Sequence, residues 1–472
     1  MRHAPTRIAI IGGGPGGYEA ALVAAQVDAD VTVVERDGPG GACVLTDCVP
    51  SKTLIATSET MTALGSAGDL GVRLDGRAER AEPSVDAGRL YGRVKALARR
   101  QSADVEARLA AEGVRVVRGA GRLTSGGDDR WAVQAGGHRI GADIVLIAPG
   151  AHPRVLPDAV PDGERILNWR QVYHLDSLPP QLIVVGSGVT GAEFASAYQA
   201  LGSQVTLVSS RDRVLPHEDT DAAVVVEDVF RRRGMTVLNR SRAASVKRTG
   251  DGVVVTLEDG RTVEGSHCLL TVGMIPSTSA LGLQEAGVQL DERGFVRVDR
   301  VSRTSAPGVY AAGDCTGLQM LASVAAMQGR IAMWHALGEA VTPIRLSHVA
   351  ATIFTEPEIA TVGVSQQAVA AGRVDARVVK LPLATNPRAK MQGFRDGFIK
   401  LFARPGSGMV LGGVVVAPRA SELILGMSVA VEQQLTVSQL AHTFAVYPSL
   451  SGSLTEAARK LMQSAAEFEL PP

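Results

Sequence analysis

"RIAIIGGGPGGYEAALVAAQVDADVTVVERD", residues 7–37, decides the architecture of this 472-residue chain. Arg7 leads into the apolar run Ile8–Ile11, which is too short for a helix and is bounded by glycines. An alanine-rich stretch follows, then a second apolar run that closes on Glu35. This order predicts strand, glycine turn, helix, strand. Gly12, Gly14 and Gly17 form a G-x-G-x-x-G turn. The first glycine makes the tight turn and the second lets backbone approach a pyrophosphate. The third lets the helix pack on the strand, and the helix N-terminus faces the anion. Because the motif sits between a strand and a helix, a dinucleotide cradle is favoured over a plain glycine turn.

The device occurs twice. "QLIVVGSGVTGAEFASAYQALGSQVTLVSSRD", residues 181–212, repeats it with Gly186, Gly188 and Gly191. The two copies end differently. Glu35 is placed to take both ribose hydroxyls, whereas Ser209, Ser210, Arg211 and Arg213 occupy that region of the second copy. Without the carboxylate a 2′-phosphate is not repelled, and an arginine can pair with it. The expectation is FAD at the first turn and NADPH at the second, with NADH tolerated.

Composition bounds the rest. At about 100–200 residues per domain, the length suggests three domains. Forty-eight basic and forty-eight acidic residues cancel, with no block of one sign, which argues against nucleic acid or an anionic membrane as partner. No apolar run approaches the roughly 18 residues of a bilayer span, so no integral membrane contact is expected. The N-terminal residues lack a signal-peptide pattern, and four cysteines are too few for a secreted disulfide scaffold, so a cytoplasmic protein is expected. Residues 90–113 read as an amphipathic helix with Leu90, Val94, Leu97 and Leu109 on one face. "GVYAAGDCTG", residues 308–317, is a strand ending at a turn with Asp314 at its tip, followed by a helix from about Leu321 to Leu337. Beyond residue 345 the glycine turns thin out, three strands are predicted, and a helix is expected over residues 454–468.

A third string joins these. "GGACVLTDCVPSK", residues 40–52, carries Cys43 and Cys48. With both glycine turns and "GVYAAGDCTG", it makes nearly the whole chain resemble the pyridine nucleotide-disulfide oxidoreductases, class I flavoproteins that include lipoamide dehydrogenase and mercuric reductase. The resemblance implies an α/β fold with two Rossmann-like dinucleotide-binding domains, for FAD and NAD(P), plus a C-terminal α+β dimerisation domain. The corresponding segments are 1–151 and 278–344 for FAD, 152–277 for NAD(P) and 345–472 for the interface of a homodimer. It also implies that Gly12, Gly14, Gly17 and Glu35 hold the ADP half of FAD and that Asp314 binds its ribitol. The helix near Ala322 points its N-terminus at the flavin. Lys52 and Glu193 match the pair beside flavin N5, where a cation stabilises arriving negative charge.

The cysteines are read as a redox pair rather than a metal site, since no further Cys/His group completes a ligand set. On one regular helix, residues five apart have Cα atoms roughly 8.6 Å apart. A disulfide needs about 4.4–6.8 Å, so closure requires an irregular first turn, which the upstream glycines permit. Helix onset also favours a thiolate there. Cys268 and Cys315 read as core residues.

One part of the family pattern is broken. Disulfide reductases of this family carry a C-terminal His-Pro with a nearby glutamate. In "AVYPSLSGSLTEAAR", residues 445–459, Tyr447 and Gly452 stand in those places, and His442 is too early to substitute. Histidine has a reference pKa near 6.5 and tyrosine near 10, a difference of about 4.8 kcal/mol in proton affinity. Tyrosine is a poor base for a dithiol substrate. Mercuric reductases with this tyrosine add a C-terminal cysteine pair, whereas this chain ends "EFELPP". "LIVVGSGVTGAEF", "LASVAAMQGRIAM" and "AVYPSLSGS" resemble the actinobacterial NAD(P)H:quinone reductases labelled lipoamide dehydrogenase-like. The expected activity is hydride transfer from NAD(P)H through flavin to a quinone-type small molecule. The alternatives are a disulfide/dithiol oxidoreductase using Cys43 and Cys48, and a redox-sensing flavoprotein.

Overall fold

The structure, a computed structural model, describes residues 4–72, 83–127 and 129–466. These form two compact units, one within Met1–Thr53, Tyr91–Val155 and Val272–Leu346, the other within Leu54–Leu90, Leu156–Thr271 and Ser347–Pro472.

The first unit is built on strands β1 (Arg7–Ile11), β2 (Asp30–Glu35), β3 (Arg115–Arg118), β4 (Ile144–Ile147) and β10 (Val309–Ala311). They form one parallel sheet in the order β10-β4-β1-β2-β3. Central β1 is buried from Ile8 to Ile11, which is why it reads as a continuous apolar run rather than an alternation. Helices α1 (Pro15–Gln26), α4 (Ala87–Ala111) and α7 (Ala322–Ala336) belong with this sheet. Leu90, Val94 and Leu109 of α4 are buried as expected, while Leu97 is only half-buried and Ala98 takes the inner position. Two further helices, α2 (Gly41–Leu45) and α3 (Cys48–Ser66), carry the cysteines. Strands Ala151–Pro153 and Met274–Pro276 pair antiparallel beside the sheet.

The second unit repeats the arrangement with β5 (Ile166–Asn168), β6 (Gln181–Val185), β7 (Gln204–Val208), β8 (Thr236–Leu238) and β9 (His267–Leu270), in the parallel order β8-β7-β6-β9-β5. In each sheet the strand before the glycine turn is central, flanked by the strand after the following helix and by a later return strand. Helices α5 (Val189–Ala200) and α6 (Thr220–Arg232) serve this sheet. The unit also holds an antiparallel sheet of β11 (Ala351–Ile353), β12 (Glu358–Gly363), β13 (Arg377–Pro382), β14 (Phe398–Ala403) and β15 (Val410–Ala417), ordered β11-β12-β15-β14-β13. Helices α8 (Ala420–Glu432) and α9 (Gly452–Ala466) cover it, packing Ile424, Met427, Ala457 and Leu461 on Leu401 and Val415. The terminal helix begins two residues before the expected start, and Glu467 and Phe468 lie outside the described residues.

β14 holds an exception to apolar burial. Lys400 is 1% exposed, with its Nζ 2.7 Å from Asp219 Oδ2 and 2.8 Å from Asp221 Oδ2. Two carboxylates satisfy the buried ammonium, which would otherwise be strongly destabilising.

The close contact of α1 with α7 depends on two glycines that the sequence did not single out. A Cβ on Gly329 would collide with the Gly16 carbonyl, and one on Gly16 would lie 3.2 Å from the Ala312 Cβ. Gly329→Ala gains helix propensity but forces the helices apart, an overpacking cost of about 1–3 kcal/mol. Gly65 in α3 has nothing within 4 Å of the place a methyl group would take, so Gly65→Ala stabilises by about 0.5–1 kcal/mol. Opposite shifts in urea midpoint for the two variants check this account.

Candidate active site

At the first turn, Gly12 has φ +105°, and a side chain there would strike the Ala148 carbonyl. A Cβ on Gly17 would strike the carbonyl of Gly12. Around Gly14 nothing lies within 4 Å, so the middle of the turn presents open backbone. Gly14 is also the N-cap of α1 and supplies no capping side chain, leaving first-turn N–H donors for an anion. Glu35 ends β2, only 7% exposed. Its Oε2 accepts from the Gly13 N–H at 2.6 Å, and its Oε1 accepts from the Asp37 N–H at 2.7 Å. A carboxylate is thereby fixed at the mouth of the turn.

The chain then folds over this cradle. Gly40 N–H donates to the Gly13 carbonyl at 2.8 Å, and Gly40 and Gly41 are left-handed at φ +94° and +57°. α2 closes after one turn, residues 46–47 interrupt it, and α3 starts at Cys48. The two cysteines therefore do not share a helix, and the spacing limit for a continuous helix does not apply. Both are free thiols, partly buried and hydrogen-bonded to each other. That bond lowers the Cys43 thiol pKa against the effects of burial and the nearby charges of Asp47 and Asp314. The same bond, with burial and Asp47, raises that of Cys48. Lys52, one helical turn beyond Cys48, favours ionisation of both thiols. The shared hydrogen bond favours ionisation at Cys43 over Cys48, and the two thiols titrate as a coupled pair.

Asp314 follows β10 and is pushed up to about 6 by burial and by the charge of Asp47. The neighbouring Gly313 N–H is held by the buried Gln328 side chain of α7 at 2.9 Å. α7 begins at Ala322, and its N-cap, Leu321, has no capping side chain. The first unit therefore gathers Gly12, Gly14, Gly17, Glu35, Cys43, Cys48, Lys52, Asp314 and Ala322. Open backbone at Gly14, two uncapped helix starts and a fixed carboxylate at Glu35 fit a dinucleotide such as FAD.

The second turn is built alike. Gly186 has φ +112°, Gly191 sits against the Gly186 carbonyl, and Gly188 has open space around it. Gly188 caps α5, again without a side-chain acceptor. Ser209 replaces the carboxylate and bonds Ser187 Oγ at 2.7 Å. Arg211 is exposed, while Arg213 is folded toward its own loop, 3.5 Å from the Pro216 carbonyl. Glu193 on α5 is 4% exposed and accepts from the Phe354 N–H at 2.9 Å.

Tyr447 is 82% exposed, in a stretch with exposed Phe444 and Val446. Gly452 opens α9 and contributes no side chain. His442 is exposed, with ring Nδ1 2.7 Å from the Ser438 carbonyl oxygen. Cys268 and Cys315 are fully buried, and burial pushes the Cys315 thiol up to about 12. Among the described residues no His, Cys, Asp and Glu cluster could hold a metal, and no helix is long and apolar enough to cross a membrane. The sequence reading missed Asp47, Gln328 and Gly329. Asp47 stood inside the cysteine string, but its charge matters only once the chain folds beside Asp314.

Residues 6–329 match the family model of pyridine nucleotide-disulphide oxidoreductases, and residues 349–458 match that family's dimerisation domain. The chain belongs to this family. It is 58% identical to NAD(P)H dehydrogenase (quinone) of Mycobacterium tuberculosis over 469 residues, covering 97% of this chain and 94% of that one. It is 34% identical to dihydrolipoyl dehydrogenase 2 of Haloarcula marismortui, covering 96% of each. The crystal structure of LpdA from M. tuberculosis superposes with a TM-score of 0.91 at 57% identity, covering 97% of this chain and all of that one. The HOCl-induced flavoprotein disulfide reductase RclA of Escherichia coli, at 24% identity and TM-score 0.84 over 96% of this chain and 99% of that one, shares the fold.

For this oxidoreductase the thiol geometry has a measurable consequence. In the reduced enzyme Cys43 alkylates at lower pH than Cys48. Removing its largest stabilising contact, in Cys48→Ala, moves the Cys43 alkylation midpoint to higher pH, readable by mass spectrometry of iodoacetamide-treated samples. An unmoved midpoint contradicts the assignment.

Proposed function

We propose that this oxidoreductase takes hydride from NADPH or NADH and delivers the electrons to a quinone, working as a cytoplasmic homodimer. The observation that carries this reading is the contrast between its two halves. Both glycine cradles are intact, but exposed Tyr447 and side-chain-free Gly452 stand where disulfide reductases keep a proton-accepting dyad. A quinone needs no such dyad, and the relative at 58% identity is named as a quinone-reducing NAD(P)H dehydrogenase.

FAD, when bound, supplies the chemistry that links a two-electron hydride donor to the acceptor. The open backbone at Gly14 and the N-terminus of α1 would hold its pyrophosphate, within the turn shaped by Gly12 and Gly17, with Glu35 on the ribose. Asp314 binds the ribitol, and the start of α7 at Ala322 faces the flavin. Lys52 offers a positive charge to electron density arriving at that face. Gly186, Gly188 and Gly191 bind the nicotinamide dinucleotide, and Glu193, buried on α5, orients groups at the hydride-transfer end. Arg211, exposed just beyond Ser209, favours the 2′-phosphate of NADPH over bare NADH.

A second reading has one observation in its favour. The two thiols touch, and their shared hydrogen bond favours ionisation at Cys43, so a disulfide/dithiol cycle has its sulfur partners even without the dyad. The Cys43→Ala/Cys48→Ala double variant separates the readings. Quinone reduction with NADPH is expected to persist within about threefold of the parent, less than 1 kcal/mol of barrier. Loss of turnover by more than about a hundredfold, with flavin still bound, assigns the electrons to the dithiol instead.

A further inference from the structure

The nucleotide edge of the second unit holds an arginine that the sequence did not offer. β8 runs parallel to β7, and their pairing continues beyond the strand ends. Ser209 N–H donates to the Leu238 carbonyl at 2.9 Å, Ser241 N–H to the Ser209 carbonyl at 2.7 Å, and Arg240 N–H to the Arg211 carbonyl at 2.7 Å. The roots of Arg211 and Arg240 are thus joined directly, although 29 residues separate them in sequence. Both side chains are exposed, and neither has an ion pair among the described residues. Arg240 is held at φ +50°, a left-handed conformation that bulky residues adopt only when the surroundings impose it. The backbone bonds at Arg240 and Ser241 hold it there, and Glu227 of α6 braces the adjoining residue. Its Oε1 accepts from Asn239 Nδ2 at 2.7 Å, and its Oε2 accepts from the Val214 N–H at 2.9 Å. One side chain therefore pins the loop after β7 and the loop after β8. The glycine turn is tied to the same assembly, because Leu215 N–H donates to the Ser187 carbonyl at 2.8 Å and Ser187 bonds Ser209.

We infer that Arg240 and Arg211 form a composite clamp for the 2′-phosphate of NADPH, with Glu227 as the residue that positions both loops. Arg213, drawn toward its own loop, is not the second member. Two guanidiniums carried by different loops reach a tetrahedral dianion from two sides, and each contact is charge-assisted. Ser209, 0% exposed, keeps negative charge away from the space between them. This assignment rests on the reading of Gly186–Gly191 as the nicotinamide nucleotide turn.

The test uses flavin-loaded enzyme and two probes, 2′,5′-ADP and 5′-AMP, titrated calorimetrically. The parent binds 2′,5′-ADP the more tightly. Arg240→Asn retains a residue that tolerates the left-handed backbone. It weakens 2′,5′-ADP about tenfold, the scale of one charge-assisted contact, and leaves 5′-AMP unchanged. Arg240→Lys, which keeps the charge but not the fork, falls between them. Glu227→Ala raises KM for NADPH by a clearly larger factor than KM for NADH, a split that general unfolding would not produce. Undiminished 2′,5′-ADP affinity in Arg240→Asn, with the parent discriminating, overturns the clamp alone. Failure of the parent to discriminate, or to bind either probe, overturns the clamp together with the NADPH reading. An equal rise in KM for NADPH and NADH in Glu227→Ala, or no rise in either, overturns the positioning role.

Discussion

Everything in the two nucleotide modules depends on a steric constraint at the end of a central strand. The chain must leave β1 and enter α1 within three residues while passing the Ala148 carbonyl, and only glycine does so at Gly12. The same geometry recurs at Gly186 against Thr271. Once the turn is forced, Gly17 and Gly191 bring each helix onto its own turn carbonyl, and the open backbone at Gly14 and Gly188 faces outward. An uncapped helix start then becomes an anion site, because no capping side chain satisfies its first N–H groups. The glycine pair Gly40–Gly41 extends the constraint by laying α2 against Gly13 and Gly14, which sets where the cysteines stand.

Duplicating such a turn allows two nucleotides to be told apart by one position. Glu35 and Ser209 occupy matching places at the ends of β2 and β7, each bonded to the second residue of its glycine turn, Gly13 or Ser187. A carboxylate there suits ribose hydroxyls and rejects a phosphate, while a hydroxyl is neutral to it. In the clamp inferred above, Arg211 and Arg240, joined through their backbones beside the serine, complete the difference.

Much of this was legible in the sequence because the signals were local. The strand-glycine-helix repeat, the ends at Glu35 and Ser209 and the cysteine string all lie within about 30 residues, the length of one βαβ unit. The amphipathic helix also read correctly except at Leu97. What escaped was long-range. Gly329 looks like any helix glycine until Gly16 is packed against it. Lys400 reads as the outward residue of a strand until Asp219 and Asp221 arrive from α6 and the residue before it. Arg240 gains meaning only when β8 settles beside β7. The irregular turn that the cysteine spacing required is present as the break at residues 46–47, which brings the sulfurs into contact, although its position was not legible in the sequence.

The central claim concerns where the electrons leave. A chain that keeps touching thiols but places tyrosine and glycine at the proton-accepting positions retains the sulfur chemistry in form while lacking its base. Steady-state kcat/KM with NADPH, measured for the unaltered enzyme with a simple naphthoquinone and with oxidised lipoamide, tests this most directly. The account predicts that the quinone exceeds lipoamide by at least about a hundredfold, in line with the roughly 10²–10⁴ contributed by a positioned base. Lipoamide turned over as fast as the quinone, or faster, would contradict it.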